Sequence, residues 1–241
     1  MEEIRKIHKE LGKETYGAGR IQPELVTRIG IIACPARIRS IMKQNDIKAV
    51  VRRKKFRYPK DTKSDLPVAD NILNRDFTAE AENRKWVSDI TYIRTNQGWL
   101  YLCIVLDLYS KRVVGWSMDN NMKTGLILSA LNMAVSRRGV SKDLIFHSDR
   151  GSQYRSHEFR SRIKKLEFVQ SMSRKGNCWD NACAEAFFKT IKTELIYERF
   201  FKTYEEAKTC IFEYIEVFYN KIRRHSSIGN LSPEEFEEKC A

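Results

Sequence analysis

The chain has no CxxC pair, and its six cysteines (Cys34, Cys103, Cys178, Cys183, Cys210, Cys240) follow no regular framework. That argues against a zinc ribbon and a disulfide-stapled scaffold and favours reduced thiols in a cytosolic setting. Long apolar runs are missing too. The run that includes Tyr101 to Leu106 falls far short of the roughly 20 residues that span a bilayer, and the opening MEEIRKIHKELG has no apolar signal core. No membrane partner is expected. No internal repeat is evident, and no sustained heptad specifies an oligomeric state. Acid is the scarcer charge: 31 Asp+Glu stand against 44 Lys+Arg, a formal net charge of +13.

Hydrophobic residues make up 42% of the 241 positions and aromatics 11%, enough for a buried core and too much for a disordered or fibrous chain. The length suits one α/β domain plus a small module. Positive charge is concentrated at one end, where residues 1–60 hold 16 Lys+Arg against 6 Asp+Glu. Such a concentration is the electrostatic footprint of phosphate binding, although a ribosomal or membrane-surface module would share it.

Within that end, Ile4, Ile7 and Leu11 recur at helical spacing before Gly12, and Gly17 and Gly19 mark a turn. Pro23 opens a second helix with Leu25, Val26 and Ile29 on its apolar face, and Pro35 opens a third. In the third, Ile38, Ile41 and Met42 face inward while Arg37, Arg39 and Lys43 face out. Three short helices with basic outer faces fit a helix-turn-helix module over 1–60, and a solvated basic extension fits the same pattern. Arg52, Arg53, Lys54 and Lys55 form a further basic cluster leading into a Pro-, Asp- and Lys-rich linker over 61–80.

From Trp86 the texture changes. Residues 86–95, 99–107 and 111–118 are β-branched and aromatic runs separated by short breaks, which predicts three consecutive antiparallel strands. A helix follows from Thr124 to Val135, then a short strand at 144–147, a helix at 157–166 and a short strand at 168–171. A long helix capped by Asp180 runs to about Arg199, and another is capped by Thr203. Strands first and helices interleaved afterwards give an α/β core over 81–241, a mixed five-stranded sheet flanked by helices.

Phosphoryl transfer on DNA requires one oxygen to be activated and another to be stabilised at the same phosphorus. Two Mg²⁺ ions about 3.5–4 Å apart do this, and Mg²⁺ selects carboxylate oxygens while keeping several waters. Three acids stand in distinctive contexts: Asp89 in the first strand, Asp149 just after the fourth and Glu185 in the first turns of the long helix, with 35 residues between the last two. Glu185, Lys189 and Lys192 share one helix face, so an acid that binds metal would sit beside lysines that hold phosphates. A surface ion-pair ladder is the plainer reading of that face taken alone.

The segments WVSDITY (86–92), HSDRGSQY (147–154), NCWDNACAEAFFKTIK (177–192) and YNKIRRHSSIGNLSP (219–233) resemble the motifs of bacterial insertion-sequence transposases with a retroviral-integrase-type core. The likeness is to the second-frame product of elements that make their full transposase by frameshifting. It implies a ribonuclease H-like fold, a DDE triad of Asp89, Asp149 and Glu185 that binds two Mg²⁺, and a helical module that binds double-stranded DNA. It also implies a homo-oligomer on terminal-repeat and target DNA, a partnership with the upstream-frame product and a place in the bacterial cytosol at the nucleoid. Whether Mn²⁺ substitutes is left open. With only His8 and Cys34 in residues 1–60, the His/Cys zinc domain of retroviral integrases is absent. Arg223 and Arg224 belong to a basic C-terminal signature that contacts DNA or the core. His147 either orients a phosphate or is a hydrogen-bonded structural histidine, and Trp179 either packs the helix start or stacks on a base. A non-catalytic DNA-binding regulator and a nuclease on the same fold are the competing functions.

Overall fold

The computed structural model describes residues 1–10, 13–50, 66–139 and 142–240. Of these, the residues within Met1–Tyr58, Thr190–Phe200 and Glu216–Ala241 form one unit, and those within Pro59–Lys189 and Phe201–Ile215 form the other. Arg52, Arg53, Lys54 and Lys55 lie outside the described residues.

The larger unit is built on a five-stranded sheet of β1 (Lys85–Thr95), β2 (Gly98–Asp107), β3 (Val113–Asp119), β4 (Ile145–Ser148) and β5 (Val169–Met172), in the order β3-β2-β1-β4-β5. The short connections after β1 and β2 force antiparallel pairing, whereas β4 and β5, reached through helices, run parallel to β1. Asp107 shapes the β2–β3 turn: its carboxylate accepts the Tyr109 N–H at 2.9 Å and the Asn83 N–H at 2.8 Å.

One sheet face carries Trp86, Cys103, Val105, Val114 and Phe146. It packs on α4 (Thr124–Arg138), α5 (Ser152–Arg155) and α6 (His157–Lys165) through Leu126, Ala130, Leu131, Tyr154, Phe159 and Ile163. Gly115 lets α4 lie against β3, because a Cβ there would come within 2.2 Å of the Ala130 carbonyl oxygen. After β5 the chain enters α7 (Ala182–Glu194) and later α8 (Tyr204–Phe212), whose Thr203 cap accepts the Glu206 N–H as the sequence predicts. Asp180 does not cap α7. A short 3₁₀ turn, Cys178–Asn181, precedes that helix, and Asn177 caps the turn by accepting the Trp179 N–H.

The smaller unit contains α1 (Glu2–Lys9), α2 (Ala18–Ile29), α3 (Pro35–Gln44) and α9 (Pro233–Cys240). Ile4, Ile7, Tyr16, Ile21, Leu25, Ile38 and Met42 form its core. Pro23 is inside α2 rather than at its first turn, and Gly17 is the N-cap. The helix starts a turn earlier because Ala18 and Ile21 are buried on the same stripe as Leu25, so packing outweighs the local proline and glycine signals. Arg37, Arg39 and Lys43 are exposed on α3 while Ile38 and Met42 are buried.

Arg223 and Arg224 make ion pairs within the smaller unit. The Arg223 guanidinium donates to both carboxylate oxygens of Glu194 at 2.8 Å, and both residues are buried. Arg224 donates to Glu24 at 2.9 Å, to the Asn230 carbonyl at 3.0 Å and to Thr27 at 3.1 Å. A guanidinium committed in this way has little left for phosphate, so of the two roles expected for these arginines, DNA contact or core contact, the contacts seen are of the second kind. Burial pushes the Glu24 carboxyl up, but Lys13 and Arg224 outweigh it and hold Glu24 ionised.

Candidate active site

Strand register brings Asp89 and Asp149 together. Val87 of β1 pairs with His147 of β4 in a parallel ladder, and two residues further along each chain stand Asp89 and Asp149. Asp89 lies in β1 and Asp149 directly follows the end of β4, the neighbouring strand about 4.8 Å away, so the two acids stand at adjacent strand positions. Asp89 is half-buried and Asp149 exposed. Their charges act on the same two groups: burial first, and then both carboxylates, raise the Cys103 thiol to about 12 and push the Tyr154 hydroxyl up. At pH 8 Cys103 is therefore a protonated, enclosed thiol. Iodoacetamide should modify exposed Cys34 and Cys240 in the native protein and spare Cys103, as peptide mass mapping would show. Rapid labelling of Cys103 would mean that the packing beneath the two acids is open.

Three contacts fix this end of the sheet. Ser88, beside Asp89, hydrogen-bonds the Tyr154 hydroxyl at 2.8 Å, tying β1 to the segment that follows Asp149. The Gly151 N–H donates to Asp149 at 2.9 Å, and a Cβ on Gly151 would come within 2.9 Å of that same oxygen, so a side chain there would push the Asp149 carboxylate aside. The Asn181 side-chain amide donates to the Ser88 carbonyl at 3.1 Å, which anchors the start of α7 beside Asp89. Glu185 is one helical turn beyond Asn181, half-buried in the first turn of α7. Among the described residues no three Asp, Glu, His or Cys side chains converge closely enough to enclose a metal ion. The structure therefore pairs the two aspartates and holds Glu185 on the neighbouring helix, outside a closed three-ligand cluster. A pair of carboxylates still suits Mg²⁺, which takes one or two protein carboxylates and fills its octahedron with waters and substrate phosphates.

Asp180 anchors the approach to α7. It is fully buried, accepts three bonds from Arg174, one from Arg75 and one from Asn71, and is held far below the usual carboxylate range, first by the Arg174 hydrogen bond. Ser88, Tyr154, Asn181 and Asp180 all lie in or beside the sequence motifs, but nothing in their spacing separates a support from a ligand.

His147 is a structural residue. Ser171 Oγ accepts the Ile72 and Leu73 N–H groups at 2.9 and 3.0 Å, so its proton goes to His147 Nδ1 at 2.9 Å. Nε2–H then donates to Ser173 Oγ at 3.1 Å, which passes its own proton to the Ser148 carbonyl. Burial lowers the imidazole to about 4, so it is neutral at pH 7. Trp179, by contrast, is 69% exposed and does not pack the helix start. Lys189 is exposed and Lys192 half-buried on α7.

Comparison with known proteins bears on the same segments. An "integrase core domain" family model matches residues 79–178, a second model of that description matches 185–240, and an "HTH-like domain" model matches 1–55. "Transposase InsF for insertion sequence IS3A" of Escherichia coli (strain K12) is 42% identical over 230 residues, covering 94% of this chain and 78% of that protein. "Insertion element IS600 uncharacterized 31 kDa protein" of Shigella sonnei is 43% identical over 227 residues, covering 94% and 83%. Among solved structures, the simian T-cell lymphotropic virus intasome in complex with a PP2A regulatory subunit superimposes with a TM-score of 0.54 at 15% identity, over 97% of this chain and 74% of that one. The HTLV-2 integrase catalytic core in complex with magnesium gives 0.50 at 15% identity, over 66% and 99%. At such identities the likeness shows the fold, a ribonuclease H-like mixed sheet. An HTH-like segment, an integrase-type core and 42% identity across nearly the whole length together mean that the chain belongs to the insertion-sequence transposases of the IS3 InsF type.

Proposed function

We propose that this transposase cuts DNA at the ends of its element by metal-dependent hydrolysis and joins the freed 3′-hydroxyl to target DNA. The observation that supports the reading is the β1–β4 register, in which Val87 pairs with His147 two residues before Asp89 and Asp149 respectively. Asp89 and Asp149 would hold the cation, with Glu185 brought in from α7 when the DNA phosphates are in place. Bound there, magnesium supplies Lewis-acid polarisation of the phosphodiester and lowers the pKa of the attacking oxygen. Water attacks first and releases a 3′-hydroxyl. That hydroxyl then attacks a second phosphodiester in line, expelling another 3′-oxygen, which takes a proton from solvent. No covalent protein–DNA intermediate is needed.

Around this centre, Lys189 and Lys192 are placed to hold phosphates on the face of α7 that carries Glu185, and Arg37, Arg39 and Lys43 of exposed α3 to contact duplex DNA in the smaller unit. Two element ends must meet, so a homo-oligomer on DNA, with the upstream-frame product as a further partner, belongs to the same proposal. Its setting is the bacterial cytosol at the nucleoid, in keeping with the lack, among the described residues, of a helix long and apolar enough to cross a membrane. Incubating the protein with labelled terminal-repeat duplex, target DNA and Mg²⁺ should yield joined products that EDTA abolishes. Cutting without joining would make it a nuclease, and binding without cutting would make it a regulator.

A further inference from the structure

The β1–β2 hairpin holds a second recognition surface. β4 stops at Ser148, level with Ser88, so beyond Asp89 the hairpin projects past its parallel neighbour. On the face opposite Asp89, Arg94 and Trp99 sit directly across the antiparallel pair. Tyr92 packs edge-on against Trp99 at 5.2 Å, and the two rings are 42% and 46% exposed. Around the hairpin tip Arg94, Thr95, Asn96, Gly98 and Trp99 line an open cleft of about 430 Å³. The Arg94 guanidinium, the Asn96 amide and the Trp99 indole N–H form no hydrogen bond or ion pair among the described residues.

The cleft is braced before any ligand arrives. Thr95 Oγ1 donates to the Gly98 carbonyl at 3.0 Å, the Asn96 N–H to the Phe201 carbonyl at 3.0 Å, and the Tyr204 hydroxyl to the Gln97 carbonyl at 2.7 Å. Gly98 has φ +124, and a Cβ there would come within 2.8 Å of the Tyr204 hydroxyl oxygen, so only glycine fits between the tip and α8.

We propose that this cleft binds one unpaired nucleotide of the DNA substrate. The inference rests on the DNA-acting reading above and extends it to a second contact. Each group has a matching part in such a ligand: the indole stacks on a base, the amide hydrogen-bonds a base edge and the guanidinium holds the phosphate. Paired duplex does not offer this set, because its base faces are already stacked and its Watson–Crick edges paired. Five residues of strand separate Asp89 from Arg94, about 17 Å at roughly 3.4 Å per residue. The nucleotide held is therefore a few positions from the scissile phosphate, where strands fray when an element end is opened.

Fluorescence anisotropy with dT12 and with blunt terminal-repeat duplex tests this on the full chain. Trp99→Ala should weaken dT12 binding by about 5- to 100-fold, the value of one base stack, and lower the ratio of dT12 to duplex affinity; Asn96→Ala should shift that ratio the same way by a smaller factor. Both side chains are exposed, so neither change threatens the fold. In the unsubstituted protein, 5-iodouracil in the oligonucleotide should photocrosslink to Trp99. Unchanged dT12 affinity in both variants, with duplex binding and cutting intact, overturns the cleft alone. Failure of the unsubstituted protein to bind either DNA overturns the functional reading and the cleft with it.

Discussion

Asp149→Asn is expected to abolish strand cleavage, by at least about a thousandfold in Mg²⁺, while binding to terminal-repeat DNA stays within about threefold. The substitution preserves shape and the capacity to accept the Gly151 N–H, seen at 2.9 Å, but removes the negative charge. A hard divalent ion depends on that charge, and the loss of one of two adjacent carboxylates removes transition-state stabilisation rather than affinity for duplex. Asp89→Asn should behave alike, since each aspartate stands two residues beyond the Val87–His147 pair. Single-turnover cleavage of end-labelled duplex, beside an anisotropy titration, separates the two effects. Cleavage at the unsubstituted rate by the Asp149 variant would remove the aspartate pair from the chemistry.

The second large effect concerns Arg223. Replacing it by alanine leaves the Glu194 carboxylate, 3% exposed, without its bidentate partner, a change that costs about 3–5 kcal/mol when a buried pair is broken from one side. Thr15, which donates to Glu194 at 3.0 Å, and Arg20 at 3.7 Å offset only part of this. Against a total stability of roughly 5–15 kcal/mol, the smaller unit should lose much of its margin, and duplex binding with it. The paired change Glu194→Leu with Arg223→Met should recover most of the loss, because two apolar residues of similar volume replace both charges. Urea denaturation of the three proteins decides the matter. If Arg223→Ala costs less than about 1 kcal/mol, the buried pair is not what organises this unit.

How far the sequence reveals this molecule depends on how local each signal is. The three antiparallel strands are legible because 86–95, 99–107 and 111–118 alternate with short breaks, and the structure differs from those bounds by two residues at most. Thr203 is legible as a cap for the same reason, a side chain bonding its own next turn. Asp180 reads as a cap and is instead a buried anchor, because its partners Asn71 and Arg75 lie 109 and 105 residues away. Pro23 looks like a helix start, and only the burial of Ala18 and Ile21 shows otherwise. In the candidate site the three acids stand out by motif. Their supports do not: Ser88, Tyr154 and Asn181 show their purpose only once β1, β4 and α7 are side by side. The YNKIRRH signature leaves DNA contact and core contact both open because charge is visible in a sequence and its pairing with Glu24 and Glu194 is not.

The Arg224–Glu24 ion pair joins residues 200 positions apart, and this has a bearing on how the protein is born. At about 5–20 residues per second, a ribosome that has made Glu24 needs roughly 10–40 s more to reach Arg224. Throughout that interval Lys13 and Glu24 lack the C-terminal arginine that completes their burial, and the Tyr16 hydroxyl lacks the Arg224 N–H it later accepts. The segment from Lys13 to Glu24 thus gains these contacts only after Arg224 is made, although it is translated first. A polypeptide interrupted before Arg224 would lack both the ion pair to Glu24 and the bond to Tyr16.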